Sequence, residues 1–209
     1  MSATRLDSDE VLGCFAELVA AGTAAPGGGS VAAHSGMMAA ALGRMVCNLT
    51  IGKPKFAEVE PRMTELRDEL ERLGRRLREL IAEDAASFDA VLAAYRAPKE
   101  TDEQKASRTE RIQAAIGIAV SVPLETAERS FQVLKILREI AESGNPNAIS
   151  DVAVGSRLAE VAIKGAGYNV AANLGTMKDL DKSREADERM KTLIGQAETI
   201  ASEVESKAS

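Results

Sequence analysis

The chain has 209 residues, a net charge of −6, 45% hydrophobic and only 3% aromatic residues, with no Trp. That length suffices for one sizeable domain, and a core of Ala, Leu, Val, Ile and Met suits closely approaching helices better than a β-sandwich. An acidic balance with few stacking rings argues against nucleic acid as a partner.

Cys14 and Cys47 are too few for a disulfide framework, and with a single histidine no Cys/His zinc constellation can be written, so no metal is expected. Reduced thiols fit a cytoplasmic protein. The first ten residues carry Asp7, Asp9 and Glu10 against Arg5, which is not a secretory n-region. Residues 31–47 look apolar but contain His34 and Arg44, too short and too weakly hydrophobic to span a bilayer. A soluble, cytoplasmic chain without membrane partners is the expectation.

Helical periodicity runs through almost every segment, with no sustained strand alternation. Ser8 can cap a first helix reaching about residue 21, with Leu12, Phe15, Leu18 and Val19 on its apolar side. A glycine-rich loop follows, and a second helix opens at Ser30. Its small residues (Ala32, Ala33, Gly36, Ala39, Ala40, Gly43) recur three and four apart, which lets another backbone come close and predicts a central position. The stretch "NLTIGKPK" breaks the chain over residues 48–55.

A long helix is predicted over residues 58–94. Leu66, Leu70, Leu73, Leu77 and Leu80 follow a 4-3 spacing that Phe88, Val91 and Tyr95 extend. Thr101 with Gln104 forms a capping box opening a helix to about residue 143, which Pro123 should kink. Gly144 and Pro146 punctuate the chain before helices over residues 148–174 and 176–206, the last with a largely solvated, charged face. The fold class is all-α: one multihelical domain across residues 1–209. The leucine seam invites a homodimer, although an intramolecular bundle explains the same spacing.

Polar residues on apolar stripes mark candidate chemistry. Four residues beyond Leu80 the seam meets Asp84, then Phe88. A carboxylate there faces the core or the floor of a cleft, where burial raises its pKa and suits it to acid–base work; an interior Arg pairing with it would instead make it structural. Asp151 repeats the pattern on a face with Val154 and Leu158. Asn169 and Asn173 lie four apart, and Asn145 and Asn147 flank Pro146; buried amides must be satisfied by protein, water or ligand. Asn145 alone can be a cap or turn. His34 reads as a packed or half-exposed side chain rather than a catalyst.

The "PGGGS" run lacks the Gly-Lys-Ser/Thr ending of a P-loop, and no strand precedes it. Gly27, Gly28 and Gly29 nevertheless let backbone N–H groups approach a ligand, and Ser30 opens a helix whose N-terminus favours negative charge. An anionic or carbonyl-bearing guest follows.

In order along the chain stand "APGGGSVAA", "MVCNLTIGKPKF", "EDAASFDAVLAAYRAPK", "VPLETA" and "GNPNAISDVAVGSRLAEVAIKGAGYNVAANL". Together these blocks, spanning residues 26–174, strongly resemble the formiminotransferase–cyclodeaminase C-terminal family, which includes free-standing bacterial methenyltetrahydrofolate cyclohydrolases. The run "CNLTIGK" followed by "AEVE" is most similar to the cyclohydrolase branch. The resemblance implies an all-helical homodimer acting on a tetrahydrofolate one-carbon derivative with no metal or other cofactor. It implies that water adds to the carbon shared by N5 and N10 of 5,10-methenyltetrahydrofolate and that the C–N5 bond breaks, leaving 10-formyltetrahydrofolate.

On that reading Asp84, Asp151 and Lys99 are the catalytic candidates. The carboxylates would stabilise the cation and move protons, and Lys99 would orient water or hold the pterin carbonyl. Gly27, Gly28, Gly29, Ser30, Asn48, Lys53, Asn147, Asn169 and Asn173 would bind the substrate. Two positions depart from the family pattern: His34 stands where a small or apolar residue is usual, and Ala97 where a leucine is common near Lys99. The rival activity is a formimidoyltetrahydrofolate cyclodeaminase that releases ammonia. A non-catalytic folate-binding helical dimer is a third reading.

Overall fold

The computed structural model describes residues 13–208, which form six α-helices and two short 3₁₀ turns, with no strand among the described residues. The helices are α1 (Gly13–Ala20), α2 (Gly28–Thr50), α3 (Glu60–Tyr95), α4 (Asp102–Ser143), α5 (Ile149–Leu174) and α6 (Leu180–Ser206). The 3₁₀ turns, Pro54–Phe56 and Pro146–Ala148, punctuate the connections on either side of the α3/α4 hairpin. The predicted Ser8 cap and Leu12 lie outside the described residues.

α2 is the hub, packed against α3, α4 and α5 at once. Its small residues make this possible. A Cβ added to Gly43 would fall 2.8 Å from Leu70 Cδ1 and 3.0 Å from Leu137 Cδ2, and one on Gly36 would strike Ser130 Oγ. On the α5 side the small residues are shared: Gly165 meets Ala32, and Gly155 meets Leu42 and Leu137. These pairings set direction. α3 and α5 run antiparallel to α2, whereas α4 runs parallel to it.

The leucine seam is consumed inside the chain. Leu66, Leu70, Leu77 and Leu80 are fully enclosed and Leu73 is nearly so, covered by helices of their own subunit. The seam therefore does not call for a partner chain, and its predicted extension turns outward, with Phe88 and Tyr95 both exposed. α1 likewise buries none of its residues, and Leu18 is exposed.

Several helix boundaries differ from those expected of glycine and proline. α2 begins at Gly28, so two loop glycines are helical, and it continues to Thr50. The break is shorter than the motif implied: Gly52 takes a left-handed φ of 75°, and a 3₁₀ turn follows. α6 opens at Leu180, where Asp179 caps the N–H of Lys182. The Thr101–Gln104 capping box is formed reciprocally.

α4 continues as one helix through Pro123. Proline cannot donate to the carbonyl four residues back, which leaves Ala119 O without its helical donor. Asn173 Nδ2 from α5 supplies that bond at 3.0 Å. No described helix is long and apolar enough to cross a membrane.

Candidate functional site

The N-terminus of α2 points its free N–H groups into a polar corner of the bundle. Gly27 is the N-cap residue and offers no side chain to satisfy them. Asp84 of α3 takes that place. The Ser30 hydroxyl, fully buried, donates to Asp84 Oδ2 at 2.9 Å and sits 3.1 Å from the Ile81 carbonyl. The Ser30 N–H also reaches the carboxylate. Asp84 O in turn accepts from the Ser87 hydroxyl at 2.8 Å.

Electrostatics at this carboxylate are unusual for a helix-capping acid. Burial pushes the Asp84 carboxyl above its ordinary range, and the Ser30 hydroxyl and N–H only partly counter this. No Arg or Lys pairs with it among the described residues, so the interior ion pair expected of a purely structural Asp is absent. Arg76, two turns earlier on α3, is instead held by Glu79, Glu83 and Glu125 on the α3/α4 surface. The approach of the carboxylate to α2 requires glycine: a Cβ on Gly29 would overlap Asp84 Oδ1.

Asn169 stands across the same corner, its Nδ2 3.7 Å from the position of a Cβ on Gly28. That amide donates to Gly165 O at 2.9 Å, and its carbonyl oxygen has no internal donor among the described residues. Asn173, one turn on, bonds Asn169 O at 2.9 Å as well as Ala119 O. The structure thus brings together Gly27, Gly28, Gly29, Ser30, Asp84, Asn169 and Asn173.

The other candidates lie at the opposite end of the bundle. Asn48 is exposed in the last turn of α2, Lys53 caps the first 3₁₀ turn, Asn147 lies in the second, and Asp151 is half-buried in the first turn of α5. Asn145 organises this end: its N–H donates to Thr50 Oγ1 at 3.0 Å, its Nδ2 donates to Leu49 O at 3.1 Å, and its Oδ1 accepts from the Asn147 N–H at 3.2 Å. A rise of about 1.5 Å per residue separates Ser30 from Asn48, and Asp151 from Asn169, by about 27 Å each. Within one chain, Asp84 and Asp151 do not share a site. The face of Asp151 is also only half-buried: Val154 is 55% exposed, while Leu158 packs partly against the core.

Lys99 sits in the exposed loop after α3, where its N–H bonds the Glu100 carboxylate at 3.0 Å. The helix end at Tyr95 is about 16 Å along α3 from Asp84, so Lys99 is remote from it in the same chain. His34 is half-buried against Phe15, ring centroids 5.1 Å apart, in keeping with a packed side chain. No group of three or more His, Cys, Asp or Glu able to hold a metal occurs among the described residues.

A second apolar stripe was not expected from the sequence. Val31, Ser35, Met38, Leu42, Met45 and Leu49 repeat with 4-3 spacing on the side of α2 facing away from α3 and α4. Val31, Met38, Met45 and Leu49 are exposed. The spacing is legible in the sequence, but the small residues on the other side of the helix form the stronger pattern.

Residues 12–192 match the formiminotransferase-cyclodeaminase family over most of the chain. The chain belongs to that family. It is 43% identical over 187 residues to a methenyltetrahydrofolate cyclohydrolase of Methylorubrum extorquens, covering 90% of this chain and 88% of the other. It is 36% identical over 193 residues to the rat formimidoyltransferase-cyclodeaminase, a longer protein of which it spans 36%. Among solved structures, a formiminotetrahydrofolate cyclodeaminase from Thermotoga maritima superposes with a TM-score of 0.84 at 28% identity, covering 97% of this chain and 96% of that one. The all-helical fold is the one read from the residues.

Proposed function

We propose that this chain is a methenyltetrahydrofolate cyclohydrolase, hydrolysing 5,10-methenyltetrahydrofolate to 10-formyltetrahydrofolate. The observation that carries this reading is the Asp84 carboxylate at the α2 N-terminus: half-buried, oriented by Ser30, and without a paired cation among the described residues. The substrate brings the missing cation. Its amidinium carbon, shared by N5 and N10, is the charge this carboxylate lacks.

The chemistry follows in two steps. Asp84 accepts a proton from water as the oxygen adds to the amidinium carbon, forming a tetrahedral carbinolamine. It then returns that proton to N5 as the C–N5 bond breaks, while the carbinol hydroxyl forms the formyl C=O and releases its proton to solvent. A carboxyl pulled upward in pKa by burial is a better base than a solvated one and a usable acid afterwards. The free N–H groups of Gly28 and Gly29 and the Asn169 carboxamide are placed to hold polar edges of the pterin. No metal is needed in this scheme, because the electrophile is already cationic. Supporting it is the near end-to-end match to the Methylorubrum extorquens cyclohydrolase.

The chain acts in the cytoplasm as a homodimer on this reading, with a second copy covering the exposed side of α2. A cyclodeaminase activity is the second reading, supported by the likeness to the Thermotoga maritima cyclodeaminase. It would use the same carboxylate as N10 attacks the formimino carbon and ammonia leaves. A non-catalytic folate binder would leave Asp84 as an uncompensated desolvation cost. The test offers purified protein both 5,10-methenyltetrahydrofolate and 5-formiminotetrahydrofolate, following loss of the methenyl absorbance and release of ammonia. Methenyl turnover without ammonia release is expected; binding of either folate with no turnover overturns the enzymatic reading.

A further inference from the structure

We infer that Pro123 is a positioning residue for the substrate: the carbonyl it frees on α4 fixes the Asn173 carboxamide so that Oδ1 accepts from the 2-amino group at the far end of the pterin. This rests on the folate reading above and adds to it a residue that touches no substrate itself.

A proline inside a helix is costly, because its ring removes one helical hydrogen bond and crowds the carbonyl four residues back. Pro123 nevertheless lies buried near the middle of α4, which runs unbroken for 42 residues. Crowding turns the Ala119 carbonyl away from the helix axis, and Asn173 Nδ2 meets it at 3.0 Å from α5. The same Nδ2 donates to Asn169 O at 2.9 Å.

Those two carbonyls claim both N–H bonds of the Asn173 amide and decide its orientation. With its oxygen and nitrogen exchanged, two carbonyl oxygens would face a third. Asn173 Oδ1 has no donor among the described residues, and the side chain is only half-buried, so this oxygen is free to accept from a ligand. Asn169 repeats the arrangement one turn earlier, with Nδ2 on Gly165 O and no internal donor to its carbonyl oxygen among the described residues.

Position along the bundle selects the group that Asn173 meets. Asn169 is level with Gly28, beside the Asp84 corner. Because α5 runs antiparallel to α2, Asn173 lies one further turn, about 5.4 Å, beyond the start of α2. That step is close to the length of a pteridine from N5 to its 2-amino group. With the amidinium carbon at Asp84, the amino N–H falls to Asn173. An acceptor fixed in this way discriminates against an analogue without the donor, which would leave the acceptor desolvated and unpaired.

Two experiments test this on the full chain. The first needs no folate: urea unfolding of wild type, Pro123→Ala, Asn173→Ala and the double variant. In Pro123→Ala the N–H of residue 123 returns to Ala119 O. Asn173→Ala should therefore lower the midpoint in that background by less than half of what it does beside Pro123. Equal losses in the two backgrounds mean that Asn173 does not answer the proline, and overturn the inference. The second compares turnover of 5,10-methenyltetrahydrofolate with that of its 2-deamino-2-methyl analogue. Wild type should favour the natural substrate by about tenfold or more in KM. Pro123→Ala should raise KM for the natural substrate about tenfold, keep kcat within about twofold, and lose most of that preference. A merely structural proline would alter both substrates alike. Asn173→Ala should lose the same preference, which keeps this arm decisive should Pro123→Ala not fold. No preference in wild type, or a preference retained in either folded variant, overturns the positioning role. Wild type that turns over neither compound would instead sink the folate reading and leave the unfolding result standing.

Discussion

Asp84→Asn separates the chemistry of the carboxylate from its packing. Asparagine is nearly isosteric, and its Oδ1 can still accept from the Ser30 hydroxyl, now 2.9 Å from Asp84 Oδ2, and from the Ser30 N–H. Two bonds to a charged acceptor become two to a neutral one, a loss of about 1 kcal/mol each. Against this stands the removed cost of burying the charge, and the upward shift of the Asp84 carboxyl shows that burial outweighs those bonds. The sign of the pH dependence follows. A carboxyl raised in the fold stabilises the protein fully below its ordinary pKa of 3.8, and loses that contribution as pH rises through the higher folded value. Asn carries no such loss. The variant should therefore gain relative to wild type as pH rises from about 4 toward neutrality, and be at least as stable at pH 7. Turnover behaves oppositely. Loss of the general acid–base group should lower kcat by about two to four orders of magnitude, some 3–5 kcal/mol of transition-state stabilisation. Folate affinity should fall less. Thermal unfolding across pH beside kinetics on 5,10-methenyltetrahydrofolate gives both readouts. Wild-type turnover in the folded variant refutes the catalytic role; an Asn variant clearly less stable than wild type at pH 7 refutes the electrostatic account.

Gly29→Ala places a methyl into Asp84 and must displace it from Ser30, so it should lower kcat at least tenfold while retaining helical content; unchanged kinetics would mean the carboxylate works from another position. Asn173→Ala leaves the Ala119 carbonyl beneath Pro123 without a donor, which should cost about 1–3 kcal/mol in urea unfolding, and an unchanged midpoint would show that water replaces the amide. Turnover should survive EDTA, because the substrate itself supplies the cation; activity lost to the chelator and restored by a single divalent ion would make the carboxylates metal ligands.

What the sequence determines by itself is what repeats locally. The 3.6-residue period of each segment, the Thr101–Gln104 box and the small-residue stripe of α2 are set within a turn or two of chain, and each appears as read. Asp84 stands out because a carboxylate interrupts an apolar seam, an anomaly visible from its neighbours alone. Pro123 and Asn173 are each conspicuous in the sequence as well. Their connection is not, since the carbonyl freed by one and the amide of the other are 54 residues apart along the chain.

Periodicity says which face of a helix is apolar and stays silent on what covers it. The seam from Leu66 to Leu80 and the seam from Val31 to Leu49 look alike as patterns, yet α2 and α4 enclose the first, whereas among the described residues Val31, Met38, Met45 and Leu49 of the second stay exposed. Likewise, Asp84 and Asp151 each looked like half of one site. The antiparallel run of α3 and α5 against α2 carries Asp84 to the start of that helix and Asp151 to its end. Helical rise turns eighteen residues into about 27 Å, and direction of packing, a property of the whole bundle, sets which ends can meet.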